Sequence, residues 1–209
     1  MAAAVAAIAP KVIIPGFFIG KQIHSGGTMD SIAISSAFTI FFINSVTMAF
    51  SKTPMLAIIP SIACVAYAFI MAYPDEADLA RHSDWILTTP MMLTAILYAN
   101  GAPMNVILTA VACDILMIIS GYLGTKAKSK LESNGYFALG IVAFLPILWL
   151  LLQQTKNLFV IYLTICIWSL YPIVYYIREN KIVEEKYTTL GYAIMDVVAK
   201  VGLVTFLHI

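Results

Sequence analysis

The sequence predicts an all-α membrane protein, a seven-transmembrane-helix bundle, and three observations carry that prediction. Of its 209 residues 61% are hydrophobic and 11% charged, with a mean hydropathy of +0.91, whereas soluble domains carry about 25% charged residues. The apolar residues gather in runs of the length, about 20 residues, that one spanning helix needs. Short polar breaks separate the runs, and short connections make neighbouring helices antiparallel within one bundle. No stretch alternates polar and apolar residues as a barrel strand must, and no repeat of 20–50 residues occurs. The lipid bilayer is therefore the expected surrounding, and the function must lie among the helices.

The candidate spans, in order, are 30–50, 53–73, 78–99, 103–123, 135–153, 158–178 and 187–208. Ser51-Lys52-Thr53-Pro54 ends the first, and Pro74-Asp75-Glu76 the second. Asn100-Gly101-Ala102-Pro103 ends the third, the polar stretch 126–134 the fourth, 153–157 the fifth and 179–186 the sixth. Pro and Gly punctuate these breaks because neither continues a helix well. Residues 2–20 are apolar too, but Pro10, Lys11 and Pro15 interrupt them, and no cleavage motif of a secretory signal follows. Residues 1–29 are read as an N-terminal interfacial or capping segment, with an extra span as the alternative, and 30–209 as the seven-helix domain.

Charge narrows the function classes. A net charge of +1 without a basic cluster argues against nucleic acid as a partner. Cys64, Cys113 and Cys166 all lie in apolar runs and read as small core residues, so no metal site and no disulfide is expected. Loop cations are uneven: Lys11, Lys21, Lys126, Lys128, Lys130, Arg178, Lys181 and Lys186 fall on the N-terminal face, against Lys52 and Lys156 on the other. The positive-inside rule would place that eight-cation face in the cytoplasm.

Five ionisable residues remain at membrane depth: Arg81, Asp84, Asp114, Asp196 and Lys200. Such residues are costly in hydrocarbon, so each marks a candidate site. Lys200, the fourteenth residue of its span, is near the bilayer centre, and Asp196 precedes it by one turn on the same face. Arg81 and Asp84 share a face of the third span. Two readings fit: a buried structural ion-pair network, or a desolvated lysine that forms a Schiff base, whose permanent cation needs the two carboxylates.

Two runs then carry a resemblance. Arg81-His82-Ser83-Asp84-Trp85-Ile86-Leu87-Thr88-Thr89-Pro90 resembles the third helix of the microbial rhodopsins, and Met195-Asp196-Val197-Val198-Ala199-Lys200-Val201-Gly202 resembles their retinal-binding seventh helix. Trp168-Ser169-Leu170-Tyr171-Pro172 in the sixth span, Pro60 and Tyr67 in the second, and Asp114, Met117 and Gly121 in the fourth extend it to five spans; the first and fifth add nothing distinctive. The resemblance implies all-trans retinal on Lys200 as a protonated Schiff base balanced by Asp84 and Asp196, with Arg81 on the exit side and Thr88 beside Asp84. It implies that Tyr67 and Tyr171 hydrogen-bond Asp196, and that Asp114 pairs with Thr89 and ties two helices together. Trp85, Thr89, Met92, Met117, Gly121, Trp168, Tyr171, Pro172 and Tyr175 would line the polyene, although Met92, Met117 and Tyr175 also suit plain packing. His82 reads as a hydrogen-bonded interfacial residue; His24 and His208 receive no role.

One departure bears on function. Proton pumps that this chain resembles carry a carboxylate donor eleven residues after the acceptor, where this chain has Ala95. The resemblance implies a light-driven proton pump rather than an enzyme, with Asp84 as acceptor. A light-gated cation channel and a sensory photoreceptor are the alternatives within the family, and an ordinary transporter or structural bundle lies outside it. A multi-pass protein of the cell membrane, assembled as a homotrimer or homopentamer, is the implied setting. Family topology puts the N-terminus outside, against the loop charges.

Overall fold

A computed structural model describes residues 29–154 and 156–208 of the protein. The N-terminal segment, with Lys11, Lys21 and His24, lies outside the described residues, as does the His208 side chain. Among the described residues seven α-helices follow one another: α1 Met29–Ala49, α2 Ile58–Ala72, α3 Ala77–Ala99, α4 Met104–Thr125, α5 Lys130–Leu152, α6 Leu158–Glu179 and α7 Glu185–His208. Short 3-10 turns, Pro54–Ala57 and Pro74–Glu76, lead into α2 and α3, each with Pro in its first positions, where a missing N–H costs nothing.

The helix ends follow local chemistry. At the α3–α4 turn Ala102 N–H donates to the Leu97 carbonyl and Gly101 N–H to that of Tyr98, a Schellman closure. Gly101 takes a φ of +80° there, which a side chain would resist, and Pro103 then blocks continuation. The fifth helix starts at Lys130, five residues before the sequence reading placed it. Ser129 caps it by accepting the Glu132 N–H at 3.2 Å, while the Glu132 carboxylate accepts the Lys128 N–H at 2.9 Å. This reciprocal capping overrides the polar composition of residues 130–134.

Successive helices pack from α1 through α5, α6 packs on α7, and α7 returns to α1, which closes the bundle. Large apolar side chains such as Phe42, Val65, Leu108, Val142, Ile173 and Ile194 point outward and are more than half exposed, while Arg81, Asp84, Asp114, Asp196 and Lys200 are at most 5% exposed. That inversion of the soluble pattern is the arrangement a lipid surrounding favours. Six of the helical segments are long and apolar enough to cross a membrane. The remaining one, α3, is less apolar because it carries Asp78, Arg81 and Asp84, yet its 23 residues reach about 35 Å at 1.5 Å per residue, enough for the hydrocarbon core. The chain is a multi-pass integral membrane protein.

The two ends of the bundle differ. At the end holding the C-terminus of α3, Leu93, Ile96, Leu97, Ile107, Leu151, Ile161, Leu203 and Val204 form a close-packed apolar plug. The opposite end opens into a polar cavity lined by Asp30, Asp75, Asp78, Arg81, Arg178 and Glu185. Lys200 sits between them.

Candidate functional site

Lys200 is 1% exposed and its ammonium meets two carboxylates. It forms an ion pair with Asp84 across the α3–α7 contact, and lies 3.5 Å from Asp196 Oδ1, one turn back on its own helix. The helical period puts Asp196 there; only the packing of α3 on α7 brings in Asp84. Phe41 of α1 adds its ring face, with the Lys200 nitrogen 5.7 Å from the centroid, a favourable placement for a buried cation. The first span thus contributes to the site after all. Nothing in its sequence marked Phe41 among the other apolar residues.

The two carboxylates are held unequally. Asp196 Oδ2 accepts from the Tyr67 hydroxyl at 2.8 Å, and Oδ1 accepts from the Tyr171 hydroxyl at 2.8 Å and from Trp85 Nε1 at 3.0 Å. Besides Lys200, Asp84 has among the described residues one donor, the Thr88 hydroxyl 3.2 Å from Oδ1, and that hydroxyl is also 2.9 Å from the Asp84 carbonyl. Three neutral donors from α2, α3 and α6 converge on Asp196, whereas Asp84 has Lys200 as its main partner. Thr89 lies 2.6 Å from Asp114 Oδ2 and so links α3 to α4.

From Lys200 an apolar cavity runs between the helices toward α5. Lys200, Trp85, Thr89, Met92, Met117, Gly121, Trp168, Tyr171, Pro172 and Tyr175, scattered over four helices, all line it. Met92 and Met117 pack against the apolar plug as well, so one side chain serves both uses. The far wall is α5, which the sequence reading left blank: Tyr136, Phe137, Gly140, Ile141 and Phe144 face the cavity. Their spacing of one, three and four residues is a helical stripe, and that periodicity was the available signal. Phe137 stacks parallel on Tyr175 at 5.6 Å, and a methyl group added at Gly124 would collide with the Tyr175 hydroxyl, so the pocket's far end has little slack.

Two expectations need correction. His82 is hydrogen-bonded, as expected, but buried beside the chromophore slot: its Nδ1 is 2.7 Å from the Asp78 carbonyl, its ring meets Trp85 edge-on at 5.0 Å, and it lines the cavity. Arg178 is not a free loop cation. It sits in the last turn of α6 and grips Asp78 of α3 with both terminal nitrogens, at 2.5 and 2.9 Å, with Glu185 at 3.4 Å. The same Asp78 lies 3.8 Å from Arg81, whose guanidinium also covers the Tyr192 ring at 5.3 Å. The loop-charge imbalance is correspondingly smaller than its count suggested.

These residues fit retinal. A buried primary amine at one end of an apolar, aromatic-walled slot can hold an aldehyde covalently, and the two carboxylates beside it balance a cation there.

Residues 27–209 match the family model described as bacteriorhodopsin-like protein. The opsin-like protein carO of Fusarium fujikuroi is 33% identical over 139 residues, which cover 60% of this chain and 45% of that protein. Bacteriorhodopsin of Halobacterium salinarum is 30% identical over 138 residues, 59% of this chain and 53% of its own. The chain spans about half the length of the curated relatives it matches. The crystal structure of the light-driven proton pump of Coccomyxa subellipsoidea has the same fold, with a TM-score of 0.78 at 23% identity over 87% of this chain and 96% of that one.

Proposed function

The chain belongs to the bacteriorhodopsin-like protein family, and on that premise we propose that it is a light-driven proton pump that holds all-trans retinal on Lys200 and passes protons through Asp84. The observation that carries this reading is the unequal support of the two carboxylates at Lys200: Asp196 has three neutral donors, Asp84 one. Bound through Lys200, retinal supplies absorption of visible light and an isomerisation that reorients the Lys200 nitrogen.

The chain's own residues supply the rest. Asp84, in contact with Lys200, accepts the proton from its nitrogen, because a carboxylate with few other donors gains most by becoming neutral. Asp196 stays ionised under its three hydrogen bonds and keeps the site's charge balanced. Thr88 steadies Asp84. Arg81 stands between this pair and the polar cavity, which gives a released proton a hydrated way out. In the other direction the apolar plug excludes water and so resists back-flow. The pump acts as a photoreceptor and transporter, not as an enzyme, in the cell membrane as a homotrimer or homopentamer. The N-terminal face, and with it the polar cavity, lies outside, so transport is outward.

A light-induced pH change in a suspension of expressing cells tests this directly. Acidification that a protonophore abolishes is expected. Passive currents that reverse with the proton or cation gradient would identify a channel instead, and no light-driven flux at all would leave a photosensor.

A further inference from the structure

Asp78 and Arg178 belong to no part of the sequence-derived site, yet their pair occupies the outer edge of that site. Arg178 Nη1 and Arg81 Nη1 approach the same oxygen, Asp78 Oδ1, at 2.5 and 3.8 Å, and Arg178 Nη2 takes the other oxygen at 2.9 Å. Arg81 is 5% exposed, its Nε has no hydrogen-bond partner among the described residues, and its firmest other contact is the Tyr192 ring. It is therefore a buried cation whose carboxylate partner is the shared Asp78 at 3.8 Å, with Asp84 one turn further in on the same helix. Two guanidiniums compete for one carboxylate, and the nearer, bidentate one wins most of it.

We propose that the Arg178–Asp78 pair is a positioning device for Arg81: by occupying Asp78 from the outer side, Arg178 sets how far the Arg81 guanidinium stands from Asp84 and Asp196. The polar cavity lined by Asp78, Arg81, Arg178 and Glu185 gives Arg81 room to move outward. Glu185, 3.4 Å from Arg178, keeps that arginine in place when Asp78 changes. The consequence is a field at the Lys200 nitrogen tuned from α6, a helix that does not carry the two counter-charges. The optical part of this inference rests on retinal being bound to Lys200, as proposed above.

Opposite spectral shifts test it. Anionic charge near the Lys200 nitrogen stabilises a cation there more in the ground state than in the excited state, whose charge is spread along the polyene. Asp78→Asn removes the one carboxylate within ion-pair distance of Arg81 among the described residues, so Arg81 relaxes inward, weakens that anionic field and moves the absorption maximum of the purified pigment to longer wavelength. Arg178→Gln leaves Asp78 to Arg81 alone, draws it outward and moves the maximum to shorter wavelength, with Arg178→Lys in between. Shifts of the same sign, or none, overturn the proposal. Thermal melts of the retinal-free protein give a second reading: Arg81→Gln should lower Tm more in the Arg178→Gln background than in the unmodified chain, because Asp78 then depends on Arg81. Equal losses overturn the proposal as well. A colourless unmodified protein would reject the retinal reading alone, and the melts would still decide the role of the pair.

Discussion

The Tyr67 hydroxyl on α2 donates a 2.8 Å hydrogen bond to Asp196 Oδ2 on α7, joining residues 129 positions apart at the centre of the bundle. Tyr67 is 2% exposed and packs at 5.3 Å against Phe41, so its ring is held in the bundle interior. Removing it while keeping the ring leaves a buried anion one donor short. Tyr67→Phe should therefore cost about 1.5–3 kcal/mol of stability, the usual range for a hydrogen bond to a charged group, seen as a lower Tm in detergent. An unchanged Tm would mean that Asp196 is satisfied without Tyr67.

Lys200→Ala, expressed with added retinal, should give colourless protein. Because that change strands two carboxylates, Lys200→Ala combined with Asp84→Asn restores the balance and guards against a simple failure to fold. A visible band of normal intensity in either variant would remove Lys200 as the attachment point.

Met92 is 1% exposed and lines the cavity. Met92→Gln places a side-chain dipole beside the polyene, where it stabilises positive charge near the Lys200 nitrogen, and absorption should move to the blue. No shift, or one to the red, would show that Met92 does not face the chromophore when it is bound.

Sidedness can be read from described loops. Cysteines introduced at Lys128, between α4 and α5, and at Lys52, between α1 and α2, lie on opposite faces of the bundle. An impermeant thiol reagent added to intact cells should label the first and spare the second. The reverse pattern would turn the chain over and reverse the direction of transport.

The last prediction concerns proton return. Ala95 lies roughly 16 Å along α3 from Asp84, at about 1.5 Å per residue, and alanine can hold no proton. Thr94 beside it is exposed on the outward face, so it offers no relay, and the apolar plug of Leu93, Ile96 and Leu203 fills the space between. With bulk water as the source, the Lys200 nitrogen should recover its proton more slowly as pH rises. The rate should fall toward tenfold per unit, and Ala95→Asp should accelerate it at high pH. Flash photolysis at several pH values measures both. Fast, pH-independent recovery in the unmodified protein would reveal an internal donor elsewhere.

Much of this architecture was legible in the chain because it is local. Seven apolar runs of spanning length, with Pro and Gly between them, determine seven helices, and their ends shifted most where the Ser129–Glu132 cap extended α5 into polar residues and where the 3-10 turn Pro54–Ala57 delays α2 to Ile58. The four-residue interval from Asp196 to Lys200 places both on one face whatever the neighbours do. The motif residues of α3, α4, α6 and α7 could be assigned to one pocket because their resemblance spans helices. Tertiary packing decided the rest. That Asp84 pairs with Lys200, that three donors settle on Asp196 rather than on Asp84, and that Arg178 leaves the loop to grip Asp78 are contacts between side chains 25 to 129 residues apart. Phe41 was hidden, since an apolar residue reads alike whether it faces lipid, core or cavity, and the α5 stripe showed a helical period without showing which way it faced. Helical period and hydropathy are properties of neighbouring residues, and the sequence determines them alone. Which buried charge meets which partner depends on the rotation and approach of whole helices, and only the folded bundle sets those.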